Sequence, residues 1–172
     1  IGQTVVRLDL REESSATYLD PLTNFPIAGT PGVSTTDIIN YDLRWEWYRE
    51  AGNNVSVGLF YKDMEAPIES VQSPAQDGPP LIRIANAESG EVYGVEVEFL
   101  QDLAFIGDGI WDNLFTTGNI TVSDSEIVLD RQNIVEQTGV SAAITNVERR
   151  MTGHSQYVLN MQLGYDSDNG EH

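Results

Sequence analysis

Two pairs of charged residues are the clearest candidates for chemistry in this sequence. Glu96 and Glu98 are two positions apart in an alternating segment, so both carboxylates face the same side of a strand. Such a pair can bind a cation or the hydroxyl groups of a sugar, and the alternative is a solvated polar face. Arg149 and Arg150 form a basic pair in an otherwise acidic chain. They can clamp a carboxylate or a phosphate, and the alternative is a salt bridge that anchors a loop.

No catalytic constellation is present in the sequence. The chain has no Gly-x-Ser-x-Gly, P-loop or His-Glu-x-x-His motif, and it has no cysteine. His154 falls at a loop end and His172 at the chain end, where we expect solvated side chains. Residues 166–171 resemble a calcium loop only superficially, and we interpret them as a polar turn. We therefore expect no catalytic residues, no metal site and no cofactor, and a protein that is not an enzyme.

The composition excludes two classes of partner. The chain has 172 residues and a formal net charge of −18, whereas a nucleic-acid binder needs a basic patch. The same charge argues against electrostatic docking on an anionic membrane surface. No run approaches the roughly 20 apolar residues of a membrane helix. The acidity indicates either solubility or attraction of cationic solutes.

Six segments alternate apolar and polar residues with the period of a β-strand. We predict strands at about 3–11, 37–48, 55–65, 91–100, 114–127 and 156–166. In the second and third strands one side carries Tyr41, Leu43, Trp45, Trp47, Val55, Val57, Leu59 and Tyr61. The other side carries Asp42, Arg44, Glu46, Ser56 and Lys62. Phe60 also falls on this polar side, which the pattern does not explain.

The lengths of the connections indicate an antiparallel up-and-down meander. Residues 12–36, 66–90 and 128–155 are long, turn-rich connections, while 49–54 and 101–113 are shorter, and residues 131–139 can form a short helix. Every second connection of such a meander lies at the same end, so the long loops gather at one rim. Outer-membrane β-barrels sort their loops in this way. An all-β sheet of about six strands, a segment of a transmembrane barrel, is the fold that we predict.

The ordered set of strands resembles the C-terminal half of the barrel of TonB-dependent outer-membrane receptors, most closely the branch abundant in Caulobacter-like and Xanthomonas-like bacteria. The resemblance is carried by Gln3–Glu12, Gly29–Val33, Asp37–Tyr48, Val57–Asp63, Val92–Phe99 and Ser155–Tyr165. It departs from the family pattern where Leu8 replaces a proline and where Thr30 and Gly32 replace an asparagine and an aspartate.

The resemblance implies a receptor in the cell outer membrane of a Gram-negative bacterium. In that family a barrel of about 22 strands surrounds a plug domain, and a large solute is released inward when the TonB complex acts on the plug. The chain would be one domain, 1–172, supplying six strands of a longer polypeptide that also contains the plug. Its expected partners are outer-membrane lipid, the TonB complex through the plug, and a large solute. The solute would be an oligosaccharide or a ferric siderophore.

Two groups of residues are candidate contacts in such a receptor. The first group lies on the long-loop rim and consists of Tyr18, Asp20, Phe25, Arg131, Arg149, Arg150, His154 and Gln156. The second group faces the barrel lumen, where its members can pair with one another or with the plug, and consists of Arg7, Asp9, Arg44, Glu46, Glu96 and Glu98.

A different class of protein fits the same alternation. A soluble acidic β-sandwich that binds carbohydrate or a protein partner also has strands with one apolar and one polar face. The two hypotheses differ in what covers the apolar face, which is lipid in the first and a second packed sheet in the other.

Overall fold

The computed structural model describes residues 1–49, 53–73, 78–139 and 146–166, and these residues are mostly β-structure. The strands are β1 Gly2–Val6, β2 Thr17–Leu19, β3 Pro26–Ala28, β4 Thr36–Tyr48, β5 Asn54–Glu65, β6 Ile68–Ser73, β7 Leu81–Asn86, β8 Ser89–Asp102, β9 Leu114–Val128, β10 Glu148–Arg149 and β11 Tyr157–Tyr165. Two α-helices, α1 Leu10–Glu13 and α2 Arg131–Thr138, and two 3-10 helices, Ala104–Ile106 and Gly109–Asn113, complete the secondary structure.

The number of strands differs from the prediction. The six predicted strands correspond to β1, β4, β5, β8, β9 and β11, but the described residues contain five further short strands, so "about six" is wrong. The additional strands lie within the long connections, where no alternation is sustained because each is only two to six residues long. Four of them form two short local pairs, β2 with β3 and β6 with β7, and the parallel pairing of β3 with β7 then joins segments about 55 residues apart, for example Ile27 beside Ile82.

A predicted helix and a predicted strand have different outcomes. The short helix expected within residues 131–139 is confirmed, since α2 spans Arg131–Thr138 and Asp130 caps it by accepting from Gln132 N at 2.9 Å. The first strand, in contrast, ends at Val6 instead of residue 11. Residues 10–13 turn into α1, where the Glu12 carboxylate accepts from the Asp9 backbone N–H at 2.9 Å.

The main sheet has the connectivity of a meander. Its order is β1-β4-β5-β8-β9-β10, and β11 also pairs with β9. The six long strands therefore each pair with the next one along the chain. The pairings of β1 with β4 and of β9 with β10 and β11 are antiparallel. Among the described residues β1 and β11 each have one neighbour, so the sheet is open. A second, four-stranded sheet has the order β2-β3-β7-β6, in which β3 and β7 are parallel.

The chain divides into two compact units. Unit 1 comprises residues 1–41, 62–92 and 125–154, and it contains the three long connections up to residue 154. It also holds a small apolar core, which includes Ile84, Ala85, Ile127, Leu129 and Ile134. Ile127 and Ile134 are fully buried. Gly90 has no room for a side chain, since a Cβ there would lie 2.4 Å from Ile127 Cδ1. Unit 1 is thus a conventionally packed body with an interior.

Unit 2, which comprises residues 42–61, 93–124 and 155–172, is packed differently. All eleven buried hydrophobic residues of the described chain belong to unit 1, and none belongs to unit 2. Large apolar side chains of unit 2 instead remain exposed, and we call the following set the apolar face: Leu43, Trp45, Trp47, Leu59, Tyr61, Tyr93, Val95, Ile120, Val122, Tyr157, Leu159, Met161, Leu163 and Tyr165. Unit 2 therefore has no interior of the kind that stabilises unit 1.

Phe60, the aromatic residue that falls on the polar side of β5, contacts a glycine of β8. A Cβ on Gly94 would lie 2.6 Å from Phe60 Cζ and 2.6 Å from the Val122 carbonyl oxygen. The ring thus occupies the space that a side chain at position 94 would need. Phe115 covers Gly164 in the same manner, with Cζ 2.2 Å from the ideal Cβ position. Each ring contributes the packing that the glycine itself cannot, a device that protects glycines in sheets.

Candidate functional site

A polar cleft in unit 2 is a candidate site. It has a volume of about 760 Å³ and is lined by residues of β4, β5, β8, β9 and β11. The alternation of these strands places their polar side chains together. The charged and hydroxyl-bearing part of the lining consists of Arg44, Glu46, Tyr48, Ser56 and Glu98. The volume lies within the range of small-molecule sites.

Arg44 organises the charged end of the cleft. Its Nε donates to Glu46 Oε1 at 2.6 Å, and its terminal nitrogen donates to Glu98 Oε2. Each carboxylate has a second donor, since Tyr48 Oη donates to Glu46 Oε2 at 2.6 Å and Ser56 Oγ donates to Glu98 Oε2 at 3.1 Å. The pairs are surface ion pairs, with the three charged side chains 38–47 % exposed. They fix the orientation of these groups more than they stabilise the fold.

Amide side chains line the other end of the cleft. Asn160 on β11 lies opposite Asn119 on β9, and Asn160 Nδ2 donates to Asn119 Oδ1 at 2.7 Å. Among the described residues, Asn119 Nδ2 and Asn160 Oδ1 have no further hydrogen-bond partner, so they remain a donor and an acceptor on the cleft wall. Gln162 lies opposite Thr117 and adds a second amide beside this pair.

The predicted lumen-facing residues separate into two sets. Arg44, Glu46 and Glu98 line the cleft, and Arg44 forms an ion pair with each of the two carboxylates. Pairing within the group was one of the two predicted alternatives, and pairing with the plug was the other. Glu96 lies on β8 but outside the lining of the cleft. Arg7 and Asp9 follow the end of β1 and belong to unit 1, so they are not strand residues as predicted.

For the basic pair, the structure favours the loop-anchoring alternative. A terminal nitrogen of Arg149 donates to Glu69 Oε2 at 2.7 Å, and Thr152 Oγ1 donates to the same oxygen at 3.0 Å. Arg149 also donates to the carbonyl oxygen of Arg150 at 3.0 Å. The Arg149 guanidinium is therefore engaged within unit 1. Arg150 is exposed and adjoins this network.

Tyr18, Asp20 and Phe25 come together on the β2–β3 hairpin of unit 1. The Asp20 backbone N–H donates to the Phe25 carbonyl at 3.0 Å, and the Arg11 guanidinium lies 5.9 Å from the centre of the Tyr18 ring. Hydrogen bonds from Thr23 Oγ1 and from the Leu22 backbone N–H lower the pKa of the Asp20 carboxyl. The role of Asp20 in the structure is to hold the hairpin turn.

The remaining rim candidates are dispersed. Arg131 is the first residue of α2. The backbone N–H of His154 closes a turn by donating to the Met151 carbonyl at 3.2 Å. Gln156 belongs to unit 2, where its carbonyl accepts from Ser123 N at 3.0 Å. These residues occupy separate segments, and their role as ligand contacts stays a prediction. His172 and the turn at 167–171 lie outside the described residues.

Most residues that line the cleft were absent from the candidate site residues, among them the polar residues Tyr48, Ser56, Asn119, Asn160 and Gln162. The alternation itself could have identified them, because Asn160 and Gln162 occupy the polar positions of β11 and Ser56 those of β5. The alternation does not show which strands lie side by side and so bring these positions together. No group of three histidine, aspartate or glutamate side chains among the described residues is arranged to hold a metal ion.

Within the ranges that the structure describes, no helix has the length and apolar character needed to cross a membrane. No protein-family model matches the chain, and no curated protein matches it.

Proposed function

We propose that this chain is part of the wall of an outer-membrane β-barrel of the TonB-dependent receptor type. The whole receptor takes up a large nutrient, an oligosaccharide or a ferric siderophore, and the wall segment has no enzymatic role. Outer-membrane lipid contacts the apolar face of unit 2, and the TonB complex acts through the plug domain of the longer polypeptide. The finer fold that goes with this function is a sheet continued by further strands into a closed barrel.

One observation carries the proposal, and it is the apolar side of β11. Tyr157, Leu159, Met161, Leu163 and Tyr165 alternate along the strand and are 59–70 % exposed. At about 3.3 Å per residue the eight steps from the first tyrosine to the last span about 26 Å. The nine residues of β11 are the length that a tilted strand needs to cross a bilayer, about 9–11 residues. The tyrosines at its two ends suit the aromatic borders of the apolar band.

The apolar side of β4 has the same character. Leu43, Trp45 and Trp47 are 68 %, 57 % and 50 % exposed, and the two indole rings stack with centroids 6.4 Å apart. In water these side chains would contribute a contiguous patch that soluble monomers rarely expose. In a bilayer the same side chains are favourably solvated by hydrocarbon, and tryptophan near a strand end suits the interface.

The distribution of the connections supports the same function. The long connections belong to unit 1, which has a core, whereas residues 49–53 and 103–113 connect strands within unit 2. Outer-membrane barrels have long extracellular loops and short periplasmic turns. In such a barrel the long connections of unit 1 would therefore be the extracellular loops.

The soluble β-sandwich hypothesis requires a different environment for the apolar face of unit 2. A sandwich requires a second sheet packed on the apolar face, with inward side chains buried as in any core. Described residues of unit 2 include no buried hydrophobic side chain. The experiment must therefore distinguish a soluble binding protein from the wall of a membrane barrel.

Quenching of tryptophan fluorescence by brominated lipids tests the proposal. The full chain is folded into zwitterionic vesicles as three variants that each keep one tryptophan, at position 45, 47 or 111. We expect quenching of Trp45 and Trp47 by bromines on the acyl chains. Deep bromines should quench Trp45 more than Trp47, because Trp47 is next to the last residue of β4.

Trp111 provides the internal control, since it lies in a 3-10 helix of the β8–β9 connection and outside the apolar face. Deep bromines should quench it least. A chain that stays monomeric and cooperatively folded in plain buffer, with no quenching of Trp45 by lipid, would contradict the membrane function and favour the sandwich.

A further inference from the structure

We propose that the polar cleft of unit 2 is a binding site for a neutral oligosaccharide. The inference rests on the proposed uptake function and deepens it, because it names the solute class that the wall itself recognises. It is argued from the charge, hydrogen-bonding capacity and shape of the cleft.

The charges of the cleft oppose an anionic solute. Arg44, Glu46 and Glu98 together carry a formal charge of −1, and the guanidinium already bonds both carboxylates. A ferric siderophore complex with net negative charge would meet an excess of carboxylate and no unengaged cation among these three groups. A cationic solute would also bind weakly, since each carboxylate already accepts hydrogen bonds from two donors. A neutral solute requires no change in these pairs.

The amides provide the donors and acceptors that sugar hydroxyls require. A hydroxyl group both donates and accepts a hydrogen bond, and so does a carboxamide. Asn119 and Asn160 use one bond for each other and leave a donor and an acceptor on the cleft wall. Gln162, two residues along β11, presents a further amide on the same side. Successive hydroxyls of a sugar chain can therefore be matched along the strand.

The cleft also provides an apolar surface and sufficient room. Tyr48 lines the cleft with its ring 68 % exposed and its hydroxyl oriented by Glu46. A pyranose ring has an apolar face that can pack on such an aromatic ring, while its equatorial hydroxyls reach polar groups at the side. The volume of about 760 Å³ is that of a site for a short oligosaccharide and not for a single ion.

The test uses the full chain in a zwitterionic, non-glycosidic detergent. A panel of neutral di- to tetrasaccharides and one anionic ferric catecholate complex are titrated while the side-chain amide signals of Asn119, Asn160 and Gln162 are followed by NMR. We expect at least one neutral oligosaccharide to shift these signals saturably. We expect the ferric complex to leave them unchanged.

Variants identify the groups that bind. Asn160→Ala should weaken binding of the positive oligosaccharide about tenfold, which corresponds to the loss of one hydrogen bond to a neutral group. Asn146→Ala, an exposed asparagine of unit 1, is the matched control and should bind as the parent chain does. Because Asn160 is exposed, its replacement should leave the far-ultraviolet circular dichroism spectrum unchanged.

Three results would overturn the inference. They are the absence of saturable shifts across the neutral panel, binding of the ferric complex at the same amides, and equal affinity of Asn160→Ala and the parent chain. None of them alters the quenching of Trp45 by lipid. Failure of the binding site and failure of the membrane function can therefore be told apart.

Discussion

A terminal guanidinium nitrogen of Arg149 lies 2.7 Å from Glu69 Oε2, although the two residues are 80 positions apart in the chain. Glu69 is on β6 and its side chain is only 4 % exposed, while Arg149 is on β10 and is 27 % exposed. The ion pair thus joins two of the long connections within unit 1. Because one partner is nearly buried, its charge depends on the other for compensation.

Replacement of Arg149 should destabilise unit 1. Arg149→Met leaves the Glu69 carboxylate with the hydrogen bond from the Thr152 hydroxyl but without a compensating charge, and we expect a loss of about 3 kcal/mol in the free energy of unfolding. Urea denaturation followed by circular dichroism measures it. The exposed Arg7→Met is the control and should change stability little. The double variant Glu69→Leu/Arg149→Met should recover part of the loss, and a double variant less stable than Arg149→Met would contradict the account.

A side chain at position 94 should disrupt unit 2. Gly94→Ala would place its Cβ 2.6 Å from both Phe60 Cζ and the Val122 carbonyl oxygen. Since the carbonyl belongs to the backbone, it cannot move aside as a side chain does, and we expect a loss of about 1–3 kcal/mol. Gly58→Ala, on the neighbouring β5, is the matched control, because a Cβ there would lie 3.9 Å from its nearest neighbour, the Glu96 carbonyl oxygen. Equal unfolding free energies of the two variants in detergent would refute the packing of Phe60 against Gly94.

The proposed lipid contact of β11 predicts opposite effects at neighbouring positions. Met161 is the central residue of the strand and belongs to the apolar face, although it also borders the cleft, whereas Gln162 occupies a polar position of the strand within the cleft lining. Met161→Arg should reduce folding into lipid vesicles by about 2–4 kcal/mol, the cost of an arginine at the middle of the bilayer. Gln162→Arg should fold nearly as well as the parent chain. Heat-modifiable migration on electrophoresis gels measures the folded fraction, and equal folded fractions would count against lipid at this face.

Protonation of Asp20 should loosen the β2–β3 hairpin. Hydrogen bonds from Thr23 Oγ1 and Leu22 N lower the pKa of the Asp20 carboxyl below its ordinary value of 3.8. The carboxylate therefore stabilises the hairpin fully above the unfolded pKa, and this contribution is lost as the pH falls through the folded pKa. An NMR titration of the carboxyl carbon should give a midpoint below 3.8. Asp20→Asn should keep an acceptor for the turn and remove the pH dependence, and a midpoint at or above 3.8 would show that these bonds do not form.

Local alternation was sufficient to predict the long strands. The strand predicted at 114–127 is observed as β9 at Leu114–Val128, and the strand predicted at 37–48 is observed as β4 at Thr36–Tyr48. The period of two is enforced by the backbone of each strand, so it can be read without knowledge of its neighbours. The short strands β2, β3, β6 and β7 escaped prediction because three to six residues are too few to sustain an alternating pattern, and because the pairing that joins them into one sheet, Ile27 beside Ile82, links segments that are distant in the chain.

The cleft, too, was predictable from local sequence only in part. Arg44, Glu46 and Glu98 were predicted to share a polar surface, because each occupies a polar position of an alternating strand. The amides of Asn119 and Asn160 were not predicted to meet, since their contact requires that β11 pair with β9 in one particular register. A shift of the register by one residue would have turned every side chain of β11 to the other face.

The sequence by itself determined that the chain is mostly β, where its long strands lie and which side of each is apolar. These properties depend on backbone geometry and on the order of residues within a few positions. Only the tertiary structure decided that Arg149 neutralises Glu69, that Phe60 fills the space above Gly94, and that a core forms in unit 1 while unit 2 leaves its apolar face exposed. Those outcomes depend on contacts between residues far apart in the chain, which form only when the strands take their places in the sheets.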